Sequence, residues 1–117
     1  MYEISESNRI LYLTFEFSKQ IIQYCKEVET SRQFHIANQL FRSGTSVGAN
    51  VFEAQSPESK ADFIHKMKIA SKESYETNYW LLLCKSELKI QNTETMLSKA
   101  IEIRKILNSI IGSAKNK

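Results

Sequence analysis

Apolar residues recur every three or four positions along almost the whole chain, in four runs separated by short polar breaks. That spacing is the mark of amphipathic helices that each bury one face. In the first run Ile10, Leu13, Phe17, Ile21, Tyr24 and Val28 make the seam, and Leu11, Phe15, Ile22 and Cys25 widen it. Ser7 is the expected N-cap, and Thr30-Ser31 ends the run. The second run, from about Gln33 to Gln55, continues with Ala37, Leu40, Gly44, Val47, Gly48 and Val51. Ser56-Pro57 reads as the start of the third, with Ser as N-cap and Pro at the first helical position. Its seam is Ala61, Ile64, Met67, Ala70, Ser74, Thr77, Leu81, Cys84 and Leu88, ending near Lys89. Asn92 and Thr93 make a turn and cap before Met96, Leu97, Ala100, Ile103, Leu107, Ile110, Ile111 and Ala114, with Gly112 placed to help end the helix. Short connections force neighbouring helices to run antiparallel. The expectation is an all-α, antiparallel up-down-up-down four-helix bundle, one domain over residues 1–117.

Composition agrees where it bears on this. One Pro and three Gly argue against a turn-rich sandwich or barrel, and twelve Glu against the single Asp62 favour helix. Gly44 and Gly48 lie inside a helix, where each costs about 1 kcal/mol relative to Ala, so they need a reason. They stand one turn apart among Ser43, Thr45, Ser46 and Ala49, a small-residue stripe that lets another helix come close.

The 16 basic residues exceed the 13 acidic ones by three, and all of that excess lies in residues 91–117. There Lys99, Arg104, Lys105, Lys115 and Lys117 face only Glu94 and Glu102. These five are the candidate contacts to the phosphates of RNA or DNA. Helical spacing puts Arg104 and Lys105 opposite much of the Ile103–Leu107–Ile110 seam. Met1 to Asn8 is polar and acidic, unlike an export signal, and Trp80 to Cys84 is too short to cross a bilayer. Cys25 and Cys84 belong to no C-x-x-C pair and read as reduced thiols in a cytoplasmic core.

Catalytic chemistry finds little support. A di-iron bundle needs two Glu-x-x-His pairs with further inward carboxylates, but Asp62-x-x-His65 is the one carboxylate at that offset and His35 follows Arg32. No G-x-S-x-G elbow is present, and no glycine-rich phosphate loop follows a strand. The expectation is a non-enzyme without metal or cofactor, with His35 and His65 as ordinary surface or boundary residues. What does stand out is a polar line on the second helix: Arg42, Ser46 and Asn50 at i, i+4 and i+8, then Glu53. Lys72, Glu73 and Glu76 are placed to face it from the third helix, beside Tyr75, Tyr79 and Trp80. Polar groups near a core must be hydrogen-bonded. The line is therefore either a structural network that sets the register of a bundle or oligomer, or a ligand contact.

The stretch from Gln39 to Ala54 (Gln-Leu-Phe-Arg-Ser-Gly-Thr-Ser-Val-Gly-Ala-Asn-Val-Phe-Glu-Ala) resembles the signature of the bacterial four helix bundle protein family. That family includes proteins encoded in intervening sequences of 23S ribosomal RNA genes. Ser59 to Met67, Lys72-Glu73-Ser74-Tyr75-Glu76-Thr77 and Tyr79-Trp80-Leu81 fit it as well, so the likeness covers roughly residues 8–112. The resemblance implies a homopentamer with Asn50, Glu53 and Glu76 as shared polar positions and with no catalytic residues. Related accessory proteins of diversity-generating retroelements form a basic pentameric barrel that engages nucleic acid and a reverse transcriptase. This chain carries Ala54 where many members have Gly, and its net charge of +3 is modest beside that of the strongly basic relatives. The expected function is a non-enzymatic oligomer that binds nucleic acid, ribosomal RNA included. The alternative is a scaffold for a polypeptide partner.

Overall fold

Four helices follow one another in the computed structural model, which describes residues 4–117: α1 (Arg9–Thr30), α2 (Phe34–Glu53), α3 (Lys60–Glu87) and α4 (Thr93–Lys115). Met1 to Glu3, part of the N-terminal stretch and of the single-domain expectation, lie outside the described residues. No strand occurs among those described.

Three boundaries differ from the expectation, each for a local reason. Asn8, not Ser7, caps α1: its side chain accepts from the Leu11 N–H at 3.3 Å, while its Nδ2 donates to Gln55 Oε1 at 2.8 Å across the base of α2. Ser59, not Ser56, caps α3, accepting from the Asp62 N–H at 3.0 Å. The Asp62 carboxylate returns the favour by accepting from the Glu58 N–H at 3.1 Å, a reciprocal pairing that Ser56-Pro57 has no partner for. Gly112 does not end α4, which runs three residues past it to Lys115 with no left-handed φ at the glycine. At the α3–α4 turn Asn92 takes φ 70°, a left-handed position that asparagine tolerates.

The glycine stripe has its use inside the chain. A Cβ on Gly44 would sit 2.7 Å from Ile21 Cγ1, and one on Gly48 would sit 3.0 Å from the Thr14 carbonyl oxygen. The helix that approaches closely is therefore this chain's own α1. Seating α1 on the stripe turns it so that Leu11, Thr14 and Cys25 are buried, while Leu13 is half-buried and Phe15 and Ile22 are exposed. Buried Thr14 is satisfied by donating to the Ile10 carbonyl at 2.9 Å.

Cross-helix bonds establish the antiparallel order. Asn8 meets Gln55, Ser43 meets Thr77 at 3.0 Å, Lys66 meets Glu53 at 3.0 Å, and Ser71 meets Asn108 at 2.7 Å. Each helix packs broadly on its chain neighbours, whereas α1 and α4 touch only lightly. Tyr24 Oη and Thr93 Oγ1, 2.6 Å apart, tie those two near one end. Above that tie lies a polar cleft of about 870 Å³ lined by Lys19, Gln23, Glu27, Gln91 and Thr95 among others. No described helix is long and apolar enough to cross a membrane.

Candidate nucleic-acid interface

The polar line does not form one network. Arg42 bridges to α3, with Nη1 donating to Glu73 Oε2 at 3.1 Å and Nη2 bonded to Glu76 Oε2. Trp80 Nε1 donates to the same Glu76 oxygen at 3.0 Å. That Trp80 bond, with Arg42 beside it, holds the Glu76 carboxyl below the usual carboxylate range, and Glu76 in turn raises the Arg42 guanidinium. Ser46 and Asn50 take no part: Ser46 Oγ donates to the Arg42 carbonyl at 2.6 Å and Asn50 Nδ2 to the Ser46 carbonyl at 2.9 Å, both within α2. Glu53 pairs with Lys66 on a side chain 57% exposed. Lys72 is exposed. The buried bond between α2 and α3 lies elsewhere, from Thr77 Oγ1 to Ser43 Oγ, between a seam residue and a member of the small stripe. A helical wheel separates those two from the line, and nothing in their spacing marks them as a pair.

The five basic residues of the C-terminal quarter also part company. Lys105 is exposed as expected, but Arg104 is half-buried on the flank toward α3, its guanidinium 4.3 Å from the Tyr75 ring centroid. Lys115 lies on the same flank beside Lys68; a hydrogen bond that only the neutral Lys68 amine can accept from Lys115, and then the Lys115 charge, hold Lys68 below its ordinary range. Lys99, five residues before Arg104, is half-buried on a different flank. Lys117 lies beyond α4, where its main-chain carbonyl accepts from Lys60 Nζ.

What the fold adds is the outer stripe of α3. Lys68, Lys72, Tyr75 and Tyr79 follow one another by four, three and four residues, all exposed, with the two tyrosines 53% and 58% accessible. Tyr79 is set edge-on against Trp80 at 5.2 Å and 75°. Arg42 draws Glu73 and Glu76 to the α2 side, and Asp62 is occupied at the helix cap. The α3–α4 face is left with Lys68, Lys72, Arg104 and Lys115, none of which pairs with a carboxylate among the described residues. The stripe was visible in sequence as helical spacing, although a charge count by chain segment passes over it.

A second surface is apolar. Ile4, Phe15, Ile22, Thr45, Ala49 and Phe52 line a groove of about 730 Å³ between α1 and α2. Phe34 and Phe41, which helical spacing puts on the same stripe of α2 as Phe52, are exposed as well. Elsewhere, His35 and His65 are exposed, and among the described residues no group of three His, Cys, Asp or Glu is placed to hold a metal ion. Cys25 and Cys84 are free and buried, and burial pushes the Cys25 thiol up to about 12.

A family model described as 23S rRNA-intervening sequence protein matches residues 6–109. Among solved structures, the chain resembles a protein of unknown function from the S23 ribosomal protein family of Bacteroides thetaiotaomicron VPI-5482. The two are 41% identical, the match covers 87% of this chain and 97% of the other, and the TM-score is 0.81. No curated protein matches.

Proposed function

The chain belongs to the 23S rRNA-intervening sequence protein family, and from that premise we propose a non-enzymatic, oligomeric bundle that binds nucleic acid in the cytoplasm without metal or cofactor. The observation that carries this reading is the α3–α4 face, where Lys68, Lys72, Arg104 and Lys115 gather without carboxylate partners. Lys105 extends it, while Lys99 and Lys117 stand apart as peripheral charges. Side chains of this kind neutralise phosphates and release counterions, and they do so without reading sequence.

Assembly into a homopentamer is supported by the α1–α2 groove, since monomeric proteins seldom leave several large apolar side chains side by side in water. Five copies at +3 each carry about +15, and a ring multiplies weak contacts into avidity. Light scattering is expected to give five times the 13.6 kDa protomer mass. A monomer at micromolar concentration overturns the assembly, and the groove then favours the second reading, a scaffold that takes a helix of a polypeptide partner.

Filter binding to RNA and DNA at two salt concentrations tests the nucleic-acid reading. Affinity is expected to fall steeply with salt. Replacing Lys68, Arg104 and Lys115 together with Gln should weaken binding to all sequences alike and flatten the salt dependence. Absence of binding at low salt overturns the reading.

A further inference from the structure

We propose that the α3–α4 face takes single-stranded nucleic acid, stacking unpaired bases on Tyr75 and Tyr79 while Lys68 and Lys115 hold the adjoining phosphates. This rests on the nucleic-acid reading above and narrows it to one class of ligand. Lysines alone serve any phosphate backbone, duplex or not. Exposed aromatic rings do not, because the faces of paired bases are covered within the stack and only unpaired ones are open to a side chain.

The geometry fits open bases better than a continuous stack. Tyr75 and Tyr79 are one turn apart on a single exposed stripe, a rise of about 6 Å along the helix. Successive bases in a duplex strand are about 3.4 Å apart, so two platforms at the tyrosine spacing suit bases splayed from one another. Arg104 already lies over the Tyr75 ring at 4.3 Å, which holds ring and guanidinium as a flat, cationic platform. Trp80, held by its bond to Glu76, backs Tyr79 edge-on.

The charges beside the platform point the same way. Lys68 and Lys115 come from different helices, yet the fold brings them together with no carboxylate between them among the described residues. Two ammonium groups so placed repel one another, and a bound phosphate relieves that repulsion. Lys72, between Lys68 and Tyr75 on the same stripe, gives the backbone a further contact.

The test is fluorescence anisotropy with labelled oligouridylate and oligothymidylate, against a labelled hairpin duplex of equal length closed by a non-nucleotide linker so that every base is paired, using the intact protein. The wild type is expected to prefer both single strands. Tyr75→Ala with Tyr79→Ala should weaken single-strand binding by roughly tenfold or more and leave the hairpin unchanged. Tyr79→Ala alone, at a position more than half exposed, should give part of that loss without touching Arg104. Tyr75→Phe with Tyr79→Phe should retain binding, since the rings remain. Lys68→Gln with Lys115→Gln should weaken both strand forms. The inference is overturned if single strand and hairpin bind equally and the alanine variants bind as the wild type does. It is overturned too if those variants change the scattering mass, which would place the tyrosines in a subunit contact. Binding of neither form overturns the nucleic-acid reading itself, and this inference with it.

Discussion

At Gly44 a single added methyl group would lie within 2.8 Å of three Ile21 side-chain carbons, and Ile21 is fully buried. Gly44→Ala should therefore destabilise by about 1–3 kcal/mol despite the gain in helix propensity. Gly112→Ala should do the reverse, since its Cβ meets nothing within 4 Å and its helix continues past it; a gain of about 0.5–1 kcal/mol is expected. Urea unfolding of the two variants reads both signs. Tyr24 and Cys25 supply a second effect at this scale. Burial raises the Tyr24 phenol from 10 to about 12 and the Cys25 thiol from 9 to about 12. The folded state thus keeps protons that the unfolded chain sheds earlier. Their stabilisation is complete below about pH 9 and is lost as pH rises towards 12. The urea midpoint should fall across that window, and Tyr24→Phe should fall less steeply while starting lower for want of the Thr93 bond.

Helix boundaries and the polar line show what spacing reveals and what it hides. Four apolar seams were readable because each helix announces its buried face through residues three or four apart, as Ala37, Leu40, Val47 and Val51 do. The choice among Ser56, Pro57 and Ser59 was not readable from preference alone, because it turns on the return bond from Asp62. Ser59→Ala should accordingly cost about 1 kcal/mol of stability, whereas Ser56→Ala, outside the helix, should leave the melting temperature unchanged. Asn50 was legible as a polar residue on a conspicuous line, but not as one whose side chain closes back on its own helix. Asn50→Ala in the isolated protomer is expected to cost less than about 0.5 kcal/mol, checked by the same melts. The basic face divides in a similar way. Lys115 and Arg104 stand out by counting charges along the chain, yet their partners Lys68 and Tyr75 lie 47 and 29 positions away, where only packing brings them in.

For the whole molecule, bundle architecture was legible because short connections leave successive helices little choice but to pack antiparallel. The unequal closure of the bundle was not, since no local pattern tells whether the first helix will cover the last. Because α1 and α4 meet so lightly, the four helices form an open series in which each leans mainly on its neighbours in the chain. Such a series has little long-range closure to pay in loop entropy, and domains of that kind fold fast. It also loosens from its ends: α4 can swing away by breaking one broad interface, while α2 and α3 are each held by two. Native-state hydrogen exchange should therefore find α4 amides opening at lower free energy than those of α2, even though both helices are long and well formed. Equal protection in the two would mean that the bundle unfolds only as a unit. If α4 does open alone, Arg104 and Lys115 leave with it while Lys68 and Tyr75 stay behind on α3, so the charged face lasts no longer than the molecule's least secure joint.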